Sequence, residues 1–87
     1  LGIEEDNAVS FKLYPNPIER GNDLVITAPL VEGNWNYFIL DITGRMVKSG
    51  SLNGSNRINS GAFAPGMYHI YLNNGASYSK AKKFIVR

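Results

Sequence analysis

The chain has no cysteine, so it carries neither a disulfide staple nor a thiolate metal site and must fold on packing alone. It has one histidine, His69. With no second imidazole and no thiolate beside it, a zinc-type ligand set is not expected. No apolar run approaches the ~20 residues that a membrane-spanning helix requires. The N-terminal residues carry Glu4, Glu5 and Asp6 where a basic-then-apolar export signal would stand. Charge is scarce: nine basic against seven acidic residues leave a net +2, too weak a field to imply nucleic acid. No segment shows a capped 3.6-residue apolar period, which argues against helices. No glycine-rich phosphate cradle and no convergent carboxylate pair is present. Catalysis, a bound cofactor and a small-molecule substrate are therefore not expected.

What the sequence does contain is enough apolar material for one small domain. Hydrophobic residues make up 44% of the 87 and charged residues 18%, the balance of a folded chain rather than a disordered tail. At this length roughly 60–65% of the unfolded surface can be buried, so the core is thin. Acids gather at one end, in Glu4, Glu5 and Asp6, and bases at the other, in Lys80, Lys82, Lys83 and Arg87. Residues 1–8 have no apolar period and read as a linker and processing region. Residues 9–87 read as the domain. A chain beginning at Leu1 is expected to be a piece of a longer precursor.

From Val9 onward the pattern is strand, turn, strand. Val9–Tyr14 alternates, with Val9, Phe11 and Leu13 on one face. Leu24–Ala28 is short and β-branched, and Trp35–Asp41 is the most apolar segment, expected at the centre of a sheet with both faces covered. Arg45–Leu52, Arg57–Asn59, Met67–Asn73 and Ala76–Arg87 complete a set of seven. Gly21-Asn22, Gly33-Asn34, Asn53-Gly54 and Asn74-Gly75 supply turn chemistry between them. Asp41-Ile42-Thr43-Gly44 fits a type I turn and Ala64-Pro65-Gly66-Met67 a type II turn. Seven strands at this spacing predict a small all-β sandwich. For the last hairpin, a three-residue Asn73-Asn74-Gly75 loop would place Tyr68, Ile70, Leu72, Tyr78, Phe84 and Val86 on one face. That register points Lys80 and Lys82 to the core side as well, so the end of the strand is expected to bend or overhang.

Three patterns could bind a ligand. Trp35, Tyr37, Tyr71 and Tyr78 would make an aromatic platform for a sugar or peptide, although period-two aromatics in a sandwich ordinarily form core or cross-strand pairs. The basic C-terminal cluster would suit an anionic partner, against the default of a solvated strand face. Asn53-Gly54-Ser55 is a sequon that doubles as a turn. His69 alternates with Tyr68 and Ile70 and is expected on a solvent-facing position.

Four short motifs follow in order: Tyr14-Pro15-Asn16-Pro17, then Asp41/Gly44/Arg45/Val47, then Phe63/Gly66/Tyr68, then Lys83/Ile85/Val86/Arg87. Their succession over residues 9–87 resembles the type A C-terminal sorting domains of the type IX secretion system, carried by exported proteins of Bacteroidetes. The departures are Phe63, where that family commonly has leucine, and Phe84, where it has a small aliphatic residue.

The resemblance implies a seven-stranded antiparallel immunoglobulin-like β-sandwich with a non-catalytic role. Such a domain directs an N-terminal cargo protein from the periplasm across the outer membrane, to the cell surface or the medium. Its implied partners are the outer-membrane translocon and a sortase-like peptidase that removes the domain, with cleavage expected in or just ahead of Leu1–Ala8. By resemblance, Gly66, Tyr68, Lys83, Ile85, Val86 and Arg87 would serve recognition of the last hairpin, Met67–Arg87. Tyr14, Pro15, Asn16, Pro17, Asp41 and Gly44 would be structural. The two prolines are expected to stiffen an edge connection and withhold donors that would otherwise invite pairing. The alternative is a carbohydrate-binding sandwich attached to a secreted enzyme, which requires the aromatic platform to be exposed.

Overall fold

A computed structural model describes residues 11–27, 35–52, 56–75 and 78–87. They contain seven strands: β1 Lys12–Tyr14, β2 Asp23–Thr27, β3 Asn36–Asp41, β4 Met46–Ser51, β5 Arg57–Asn59, β6 Gly66–Asn73 and β7 Lys82–Val86. One sheet has the order β1-β2-β5 and the other β4-β3-β6-β7, with every neighbouring pair antiparallel. This is the all-β architecture that the strand spacing predicts, consistent with an immunoglobulin-like sandwich. The linker and processing region at Leu1–Ala8, the Gly33-Asn34 and Asn53-Gly54 turns and the sequon lie outside the described residues.

Period-two alternation decides which side chains face the partner sheet. Leu24, Ile26 and Ile58 point inward from the three-stranded sheet. Tyr37, Ile39, Tyr68, Ile70, Leu72, Phe84 and Val86 meet them from the other. Phe11, Ile18, Leu52 and Phe63 close the ends of the same cluster. Gly50 is fixed by this packing: a Cβ there would lie 2.7 Å from the Tyr37 hydroxyl, so the phenol occupies the space a side chain would need.

Strand β3 lies between β4 and β6, as its apolar character implies. It is not covered on both faces, however. Phe38 and Leu40 sit half-buried on the outer surface, where the Phe38 ring stacks on its cross-strand neighbour Tyr71 at 5.0 Å. An antiparallel sandwich has only two layers, so an outward apolar residue can be shielded only by its neighbours on the same face.

The last hairpin does not adopt the expected three-residue loop. Asn73 pairs with Tyr78 across a longer loop, and Tyr78 is exposed. Ser79 takes the inward place: its N–H donates to the Leu72 carbonyl (2.9 Å), and its hydroxyl accepts from the Leu72 N–H (2.8 Å). The register then steps by one residue before Ile70 pairs with Lys82. That extra residue, a bulge in effect, returns Phe84 and Val86 to the core opposite Tyr68 and Gly66. Lys80 and Lys82 are exposed.

At the β5–β6 corner, Tyr68 is buried and donates its hydroxyl to the Ala64 carbonyl at 2.6 Å. A tyrosine near the start of the sixth strand, bonded back to the backbone just upstream, is the tyrosine corner of immunoglobulin-like sandwiches. The type II turn expected here is not formed. Gly66 is already the first residue of β6, with φ of +156°, far from the +80° such a turn needs. Tyr68→Phe, which removes only the hydroxyl, should lower the unfolding free energy by about 0.5–1.5 kcal/mol, read as a shift of the urea midpoint at constant slope.

Candidate functional site

The first and last motifs meet in space. Strand β1 pairs with β2 only as far as Tyr14. The chain then passes through Pro15, Asn16 and Pro17, both X–Pro bonds being cis, and joins the opposite sheet at the free side of β7. Ile18 forms a parallel bridge to Val86. Its N–H donates to the Ile85 carbonyl (2.8 Å), and its carbonyl accepts from the Arg87 N–H (2.9 Å). The Arg20 N–H donates to the Arg87 carbonyl at 3.0 Å. One step earlier the Asn16 side chain does the work of a strand: its Nδ2 donates to the Lys83 carbonyl, and its Oδ1 accepts from the Ile85 N–H, both at 3.1 Å.

The open edge of β7 is therefore closed from Lys83 to Arg87. Proline suits the crossing because it needs no backbone acceptor where the chain has left one ladder and not yet entered the next. The segment protects an edge by pairing with it, not by the withheld donors expected of the prolines: the strand covered is β7, and the amide between the prolines does part of the covering.

The residues expected to serve recognition divide by exposure. Tyr68 and Val86 are buried in the core, and Gly66 begins β6 opposite Val86. Lys83, Ile85 and Arg87 alternate outward. On that outer face Lys83 lies across from His69, and Ile85 from Met67. Arg87 also pairs with Glu19 at 3.3 Å, an exposed contact of small energetic weight. The apolar surface continues through Tyr71, Phe38, Leu40 and Met46. Sequence reasoning missed Phe38 and Leu40 as surface residues because the apolar run of β3 resembles a strand buried on both sides.

The two middle motifs also converge, at the same level along the strands as the Asn16 contacts but on the other side of β7 and β6. The Asp41 carboxylate organises the β3–β4 turn, accepting from the Thr43 N–H (2.9 Å), the Thr43 hydroxyl (2.5 Å) and the Arg45 N–H (3.1 Å). The Gly44 N–H closes the turn onto the Asp41 carbonyl, with φ of +87° that a side chain would resist. Asp41, Arg45, Val47 and Lys48 form one wall of a cleft of about 420 Å³, and Ala62, Phe63, Ala64 and Tyr68 the other. Phe63, Tyr68 and Phe84 pack as three mutually adjacent rings, with Phe63 and Phe84 at 6.3 Å.

The aromatic platform is not assembled. Trp35 and Tyr37 are core residues, 3% and 8% exposed, which leaves only Tyr71, half-buried against Phe38, and the exposed Tyr78 on the outer face.

Two predictions follow from these contacts. Asn16→Ala should cost about 1–2 kcal/mol, the net value of two hydrogen bonds, and should raise amide exchange at Ile85 selectively; unchanged exchange there would refute the clamp. For Asp41, the hydrogen bond from the Thr43 hydroxyl leads in holding its carboxyl below the usual 3.8, helped by the Arg45 and Thr43 amides and the Arg45 charge and opposed by partial desolvation. A depressed folded-state value stabilises the fold above the unfolded value and is lost as pH falls through the folded one. An NMR titration of the Asp41 carboxyl should therefore have its midpoint below 3.8, and a midpoint at or above it would contradict the turn network.

No curated protein matches the chain. The sequence model of the secretion system C-terminal sorting domain matches residues 12–87, from the start of β1 to the last residue and through all four motifs. The chain therefore belongs to the type IX secretion C-terminal sorting domain family.

Proposed function

We propose that the folded domain is read by the outer-membrane translocon through the outward side chains of β7, with Lys83, Ile85 and Arg87 at the centre of the contact. The observation that carries this reading is the closed edge of β7. With its backbone groups bonded to Asn16, Ile18 and Arg20, the strand offers a partner side chains and no free ladder. The cargo is attached ahead of residue 1, travels through the periplasm and crosses the outer membrane with the domain. A sortase-like peptidase then cuts in or just ahead of residues 1–8, leaving the cargo at the surface or in the medium. Burial of Trp35 and Tyr37 removes the support for a carbohydrate-binding module.

The test places a periplasmic signal and a fluorescent reporter ahead of these 87 residues in a bacterium with a type IX system. Export should depend on the translocon. Lys83→Glu with Arg87→Glu, in a chain whose circular dichroism is unchanged, should reduce export to the level of the translocon-deficient strain. Undiminished export of that variant would place recognition elsewhere on the domain.

A further inference from the structure

The charges of this chain are unevenly divided along the sequence. All nine basic residues fall among the described residues, with only three of the seven acids, Glu19, Asp23 and Asp41. Each of those acids is engaged: Glu19 by Arg87, Asp41 by Arg45, and Asp23 by the Asn59 amide at 3.0 Å. Three of the other four acids, Glu4, Glu5 and Asp6, are consecutive and stand just ahead of β1 in sequence.

Part of the basic charge is gathered in one place. Where the edges of the two sheets meet, a crevice of about 480 Å³ is lined by Lys12 and Leu13 of β1, Asn16 of the crossing, Ala81, and Lys82 and Lys83 of β7. Lys12, Lys82 and Lys83 are exposed, and among the described residues no acid lines the crevice or pairs with them. They come from opposite ends of the chain and are neighbours because the Asn16 crossing ties β1 to β7. Three like charges around one concavity repel one another and favour an anion between them.

We infer that this crevice is the docking site of Glu4-Glu5-Asp6, with the carboxylates against the ammonium groups of Lys12, Lys82 and Lys83. Two observations select this occupant over a free anion. The charges match, three acids against three lysines. The tether is also short. Asp6 precedes Lys12 by six positions, a reach of at most about 20 Å, which holds the acids at an effective concentration on the order of millimolar. Exposed ion pairs are individually weak and screened by salt, so the contact is reversible. Its meaning rests on the sorting reading above: it holds the region expected to be processed, residues 1–8, against the folded domain.

The test uses the isolated 87-residue chain and an endopeptidase specific for glutamate, with cleavage after Glu4 and Glu5 followed by mass spectrometry. Lys12→Gln with Lys82→Gln leaves Lys83 in place. It should raise that cleavage rate roughly fivefold at low ionic strength, the scale of two weak ion pairs, with circular dichroism unchanged. In about 0.5 M salt the two rates should converge. Lys48→Gln, which removes a charge from β4, should leave the rate unchanged. Equal rates in the parent and the double variant at low salt, or an equal rise in Lys48→Gln, overturns the dock. Protection that grows with chain concentration overturns it in favour of a second copy. Inorganic phosphate supplies a second readout, through the backbone amide signals of Lys12 and Lys82. It should bind Glu4→Gln/Glu5→Gln/Asp6→Asn severalfold more tightly than the parent; equal binding leaves a free-anion site and removes the proposed occupant. None of these readouts involves export, so their failure leaves the sorting reading standing, and a reporter that is not exported overturns that reading alone.

Discussion

The Asn16 amide, held between two prolines and bonded to the backbone of Lys83 and Ile85, is the constraint on which the arrangement of this domain turns. A sandwich of three plus four strands cannot close its edges as a barrel does, and each open edge is a template for unwanted pairing. The chain solves this on one side by moving its first strand from one sheet to the other partway along. β1 serves β2, and residues 16–20 serve β7. The same contacts tie the start of the domain to its last residue, so the C-terminal strand is anchored on both flanks, by β6 and by the crossing segment.

That anchoring decides what the strand exposes. With the backbone of β7 bonded on both sides, it presents to solvent the side chains that it turns outward. Those side chains sit on a face that is more apolar than the outside of a two-layer protein needs. The Phe38–Tyr71 stack, Leu40, Met67 and Ile85 make a continuous surface with Lys83 at its border. On the other side of β6, the Asp41 turn and the tyrosine corner meet around one cleft. Four motifs separated along the sequence thus become two places in space.

The motif residues earn their positions by different physics. Tyr68 and Val86 are core residues, and what they contribute is the shape of the strand that carries Lys83, Ile85 and Arg87. Asp41 and Gly44 define a turn through one carboxylate and one positive φ. Phe63 and Phe84 are ring neighbours that fill the core end beside Tyr68.

Much of the fold was legible from residue order. Period-two alternation and turn chemistry located all seven strands, and the burial of Ile70, Leu72, Phe84 and Val86 followed from the side of the strand on which each falls. These are local properties, set by the pleat and by φ preferences. Other features were decided only by tertiary structure. The register of the last hairpin depends on a one-residue bulge, which returns Phe84 to the core at the expense of Tyr78. The outward placement of Phe38 and Leu40 depends on how many layers the domain has. The meeting of Asn16 with Lys83 and Ile85 depends on which sheet edge the chain reaches after the prolines. Alternation specifies two faces for a strand; only packing against distant segments determines which edges are left open and what covers them.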